Sequence, residues 1–268
     1  MTGGKPTQRW RSTLCGALLT LVALILALSA QAEVSQNGNL RLTLAGKLRP
    51  ERLPRRGAAP ISVTLASRIS TDDESLPPQL RTLRIELNRH GHLDHSGLST
   101  CPYDRIQPGS SDHALAACRT ALVGSGRFEA EITIAATEGL ESQGRLLLFN
   151  GVRGGKHVLF GHIYSDRPFA TSFVIVFRIS HAKHGRFGTV LAASLPRAMD
   201  SWGRLTAISM TLSRRYHHRG ALHSYLSSAC PTPPGVARAS FSLARTTFDF
   251  DGGARLTSVL TDTCRARG

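Results

Sequence analysis

Acidic residues are scarce in this chain: 18 Asp and Glu stand against 33 Lys and Arg, a net charge of +15 over 268 residues. Lysine is scarcer still, at 4 against 29 Arg. GC-rich coding produces that skew as readily as a nucleic-acid binder does, so charge alone names no partner. With 41% hydrophobic and only 19% charged residues the chain is not disordered. Beyond residue 28 no apolar segment approaches the roughly 20 residues of a spanning helix, which excludes a polytopic membrane protein. No G-x-S-x-G elbow occurs, so the usual serine hydrolase layout is missing. No two of Cys101, Cys118, Cys230 and Cys264 have the close spacing of a zinc knuckle. A repeat of fixed period is lacking too, which excludes a solenoid.

What is present starts at the N-terminus. Lys5, Arg9 and Arg11 form a basic segment, residues 16–28 carry no charge, and Ala30-Gln31-Ala32 places small residues where signal peptidase reads, just before Glu33. This is the layout of a signal peptide over residues 1–32, followed by a secreted domain over 33–268. The alternative is an uncleaved anchor, for which the apolar run is short. Cys15 precedes that run, so it is not a lipoprotein anchor. Removing 32 of the 268 residues, with their three basic side chains, leaves 236 residues at +12. The expected location is extracellular or in the cell envelope, with no stable membrane span and no nucleic-acid partner. Four cysteines in an exported chain imply two disulfides. Of three possible pairings, Cys101–Cys118 and Cys230–Cys264 is expected, because short-range partners meet most easily.

Period-two alternation dominates the rest. Leu40, Leu42 and Leu44; Ile61, Val63 and Leu65; Leu83, Ile85 and Leu87; Phe128, Ala130, Ile132 and Ile134; and Ile208, Met210 and Leu212 each alternate with polar residues. Each set reads as a strand with one face on a core. Unbroken apolar runs at 146–149 and 173–177 read as strands covered on both faces. Asn150-Gly151 and Gly154-Gly155 bracket a hairpin, and Asp251-Gly252-Gly253 joins 241–250 to 256–260. A helix is predicted only over 112–123, capped by Ser110 or Ser111, with Leu115, Cys118 and Leu122 on one face. The expected fold is all-β: a β-sandwich, one large or two tandem Ig-like units, with one short helix and two disulfides. A sub-boundary is placed near 180–185, although one continuous unit is preferred.

The sharpest chemical pattern is His90-Gly91-His92-Leu93-Asp94-His95. Two His one residue apart project to the same side of an extended chain, where they would hold one zinc ion, and the following Asp and His reach a second. This H-x-H-x-D-H run resembles the metal signature of metallo-β-lactamase fold hydrolases. The resemblance implies zinc on His90, His92, Asp94 and His95, completed by His157 or His162, by His223, and by Asp166 or Asp200. It covers six residues, and the helices of that family are missing. The bland reading is a solvent-exposed hairpin turn at 88–94.

Arg214, Arg215, Tyr216, His217, His218 and Arg219 form the densest basic run. Arg214, Arg215, Tyr216 and Arg219 read either as an anion-binding patch or as the polar tip of a hairpin with arms at 208–212 and 222–226. Leu76-Pro77-Pro78-Gln79-Leu80, the Cys101–Cys118 module, Phe187-Gly188-Thr189-Val190 and Ser224-Tyr225-Leu226-Ser227 together resemble a group of uncharacterised secreted β-rich proteins of high-GC soil bacteria. That resemblance implies export and a β-rich fold, and no catalytic residues. The expectation is a non-catalytic exported protein, without cofactor, that binds anionic envelope polymers. The alternative is the zinc-dependent hydrolase.

Overall fold

The computed structural model describes residues 32–133, 139–195 and 203–267; Ile134, Asp200 and the leader up to residue 31 lie outside them. In chain order the strands are β1 (Ala32–Asn37), β2 (Leu40–Arg49), β3 (Arg52–Pro54), β4 (Ala59–Pro60), β5 (Ser62–Thr71), β6 (Leu80–Asn88) and β7 (His92–Leu93). A helix, α1 (Ser111–Cys118), precedes β8 (Leu122–Ile132), β9 (Leu140–Arg153), β10 (Lys156–Ser165), β11 (Thr171–His181), β12 (Phe187–Ser194) and β13 (Arg204–Leu212). Then come β14 (Arg215–His218), β15 (Ala221–Ser224), β16 (Leu226–Ser228), β17 (Arg238–Phe250) and β18 (Arg255–Arg267). Strands take 64% of the described residues and helical turns 8%, so the fold is all-β, as the alternation predicts.

Thirteen strands form one sheet in the order β1-β2-β5-β13-β8-β9-β10-β11-β12-β6-β17-β18-β3. It curls until β1 lies beside β18. No backbone ladder joins these two; Ser35 Oγ donates to the Thr257 carbonyl and Asn37 Nδ2 to that of Arg255. The curled sheet thus acts as both layers of a sandwich-like fold, and the described residues pack as one compact unit. Its interior takes the inward side chains of nearly every strand, including Leu42, Leu65, Phe128, Leu159, Phe177 and Leu260.

A second core lies outside the wall. Leu147 and Phe149 of β9, Val158 and Phe160 of β10, and Val174 of β11 point outward, against Ile106 and the Ala114–Cys118 face of α1. Their neighbours Leu146, Leu148, Leu159 and Ile175 point inward. This double coverage is why the runs at 146–149 and 173–177 do not alternate. Both disulfides have the expected pairing. Cys101–Cys118 pins the helix module to this outer core, and Cys230–Cys264 ties the loop after β16 to β18.

Three local readings change. The helix stops at Cys118, after Ser110 caps it by accepting the His113 N–H at 3.2 Å. A single 3-10 turn follows, and Leu122 and Val123 already belong to β8, because Val123 is needed in the main core. Second, β9 runs through Asn150-Gly151 to Arg153, and only Gly154 and Gly155 turn, at φ +57° and +71°. Third, residues 208–212 pair with β5 and β8 rather than with 222–226. The basic run instead forms a separate ribbon, β14 with β15, turning at Arg219-Gly220. Among the described residues no helix is long and apolar enough to cross a membrane.

Candidate functional site

The His90–His95 run leaves β6 and splits into two environments. His90 sits in the turn and His92 in the short β7, and both are exposed. Asp94 and His95 are half-buried beneath the β14–β15 ribbon. The Asp94 N–H donates to the Tyr225 carbonyl, and Asp94 Oδ1 accepts the Ser96 N–H at 2.8 Å. Oδ2 accepts His223 Nδ1–H at 3.0 Å. Burial pushes the Asp94 carboxyl up, but the bonds from His223 and Ser96 outweigh it and hold the group below the ordinary carboxylate range. The ribbon face opposite is aromatic. Tyr216 stacks on His223 with centroids 5.6 Å apart and donates its hydroxyl to the Asp94 carbonyl. His218 lies edge-on to His223 and packs on Gly97, where a Cβ would fall 2.0 Å from its Nδ1.

His95 turns the other way. Asn150 donates Nδ2–H to the Ser99 carbonyl, so its Oδ1 accepts from His95 Nδ1–H at 3.0 Å. The ring stacks on His157 at 4.2 Å and 7° and meets the edge of Tyr225. Burial lowers the His95 pKa, so the ring is neutral at pH 7.

The residues of the proposed zinc set are therefore engaged in separate pairs, Asp94 with His223 and His95 with His157. His162 is fully buried on the α1 side, bonded through Nε2 to the Gly109 carbonyl at 3.0 Å. Asp166 is exposed in the loop after β10. Among the described residues no group of three or more His, Cys, Asp or Glu is placed to hold a metal. The donor set does not fit a zinc centre, since stacked imidazoles present faces to each other rather than lone pairs to a common point. No hydroxyl or thiol bonds to His223 among the described residues, so Asp94 and His223 form a pair without a nucleophile. The cluster clamps the ribbon onto the loop that carries Asp94.

The basic run divides by strand alternation. Arg215 and Arg219 are exposed, while Tyr216 is turned inward at 8% exposure. Arg214 is half-buried, its Nε without a hydrogen-bond partner. These four residues do not share one surface.

A second basic surface escaped the sequence reading. On the outer face of the sheet Arg238 of β17 stands directly opposite Arg265 of β18, and Arg265 is in register with Arg52 of β3. Arg267, two residues beyond Arg265, donates to the Arg52 carbonyl at 3.0 Å. Arg52, Arg238 and Arg265 are exposed, and none has an ion pair among the described residues. The acids nearest the row are committed elsewhere: Glu51, beside Arg52, pairs with Lys47, and Asp262 accepts the Leu48 N–H. Farther along the strands Glu86 is held between Arg245 and Arg84, and Asp249 pairs with Arg255. The bond from Arg245 keeps the Glu86 carboxyl below its ordinary range despite burial. Like charges directly across a ladder are destabilising, so this row opposes the fold that carries it. The hairpin turn at 251–253 was only part of the signal: counting outward from Asp249↔Arg255 brings Arg238 to Ala266, and the bulge between Ser242 and Ala244, which nothing local announces, moves it opposite Arg265.

No protein-family model matches the chain, and no curated protein or solved structure is significantly similar to it.

Proposed function

We propose that this is an exported, non-catalytic β-sandwich protein that binds anionic polymers of the cell envelope. The observation that carries the reading is the row Arg52–Arg265–Arg238, three arginines in register across adjacent strands with no acidic partner among the described residues. Strands lie about 4.8 Å apart, so the row presents positive charge over about 10 Å, a spacing suited to successive phosphates or carboxylates. Two disulfides fit an oxidising compartment, where such polymers are met. Kinship with secreted proteins of high-GC soil bacteria belongs to the same proposal.

The test is sedimentation of the protein lacking residues 1–32 with purified envelope, at low and high salt. Binding is expected at low salt and lost at high salt, because screening weakens exposed charge pairs. The variant Arg52→Gln/Arg238→Gln/Arg265→Gln is expected to lose most binding while its urea midpoint stays level or rises, since a repulsive row is removed. Undiminished binding by that variant rejects the row as the binding surface.

A further inference from the structure

Beside the arginine row the structure contains a cleft of about 470 Å³ whose wall has no carboxylate. It exists because β17 outruns its neighbour. Pairing with β6 begins only at Ala244↔Leu87, so residues 238–242 leave one edge open. The Ser242 carbonyl on that edge accepts Asn88 Nδ2 at 2.8 Å, which shows that its backbone polar groups face the cleft; strand alternation turns those of Ser240 the same way.

Opposite this edge stand Arg89, His90 and Arg186. Arg89 is locked, its guanidinium donating to the carbonyls of Gly185, Lys183 and Phe187. Arg186 is exposed, and its guanidinium, like the His90 ring and the Ser240 and Ser242 hydroxyls, makes no hydrogen bond or ion pair among the described residues. Donors thus stand on both walls of the cleft, where a tetrahedral oxyanion can accept from more directions than a planar carboxylate. The cleft is far larger than one such group, and Ala229 and Pro231 supply an apolar wall where a sugar ring would lie, while Phe241 alternates to the inner face of β17 and packs on the main core.

We propose that this cleft takes one phosphorylated or sulfated sugar unit, with the oxyanion on Arg186, His90 and the serines and the ring against Ala229 and Pro231. This rests on the reading of the protein as a binder of anionic polymers and specifies the unit recognised. Arg238, Ser240 and Ser242 share the outer face of β17, so a chain leaving the cleft along that strand meets the arginine row about 13 Å away.

The experiment is titration of the protein lacking residues 1–32 with glucose 6-phosphate, glucose 6-sulfate, glucuronate and inorganic phosphate, followed by amide NMR shifts. Both esters are expected to bind more tightly than glucuronate or inorganic phosphate, with shifts at Arg186, Ser240 and Phe241. Arg186→Gln is expected to weaken ester binding about tenfold or more. If one ester binds and the other does not, the unit is of that kind. Equal binding of glucuronate, or esters that shift none of these residues, overturns the proposal. Loss of ester binding with envelope binding intact would overturn the cleft alone, since the envelope assay reads the row.

Discussion

Tyr225 shows how a buried polar atom separates packing from bonding. Its ring is fully buried and meets His95 edge-on, but its hydroxyl has no hydrogen-bond partner, and burial drives its pKa far above the ordinary phenol range. An unpaired buried hydroxyl costs about 1–3 kcal/mol. Tyr225→Phe should therefore leave the urea midpoint level or raise it, whereas a marked drop would reveal a bond made by the hydroxyl. His95 and His162 carry a pH signature. Burial lowers both pKa values, against the bond that His95 donates to Asn150 and the one that His162 donates to the Gly109 carbonyl, with His157 and His181 pressing His95 the same way as burial. The unfolded chain binds these protons near pH 6.5 and the folded chain at lower pH. Their contribution is complete above about pH 6.5 and lost as pH falls toward the folded values. The urea midpoint should drop between pH 7.5 and pH 5.5, and His95→Gln should flatten part of that slope; an unchanged slope would assign it to other groups.

Among elements, the two disulfides anchor different layers. Cys101–Cys118 spans 17 residues in the outer core and Cys230–Cys264 spans 34 in the main one. Replacing both cysteines of a pair with Ala should cost about 3 kcal/mol for the first and about 4 kcal/mol for the second, from loop entropy. Urea melts of the two double variants check the order. Single elements were legible where one face meets water: Leu40–Leu44 and Leu83–Leu87 alternate, so β2 and β6 could be placed. The end of α1 was not legible, because Leu122 and Val123 continue the apolar spacing of the helix while the main core claims them for β8. The ribbon arms failed for a similar reason. Residues 208–212 alternate like a hairpin arm, and nothing local tells that β5 and β8 flank them.

For the whole molecule, the fold class followed from patterning, but the strand order did not. β13 sits between β5 and β8, and β6 between β12 and β17, through pairings 73 to 170 residues apart, and apolar faces do not name their neighbours. The candidate binding surface depends on that order. Arg52 and Arg265 are separated by most of the chain and meet only because β3 returns to the edge of β18. The histidine run was visible early, but its partners changed its meaning: a string that reads as a metal signature becomes a clamp once Asp94 finds His223. The line where β1 meets β18 has a mechanical consequence. Every other neighbouring pair around the wall is stitched by a backbone ladder, whereas this join rests on side chains such as Ser35 and Asn37. Pulled apart, the wall parts first along this line, like a sleeve along a basted edge, and stays tied at one end, where β3, joined to β2 through Pro50 and Glu51, is laddered to β18.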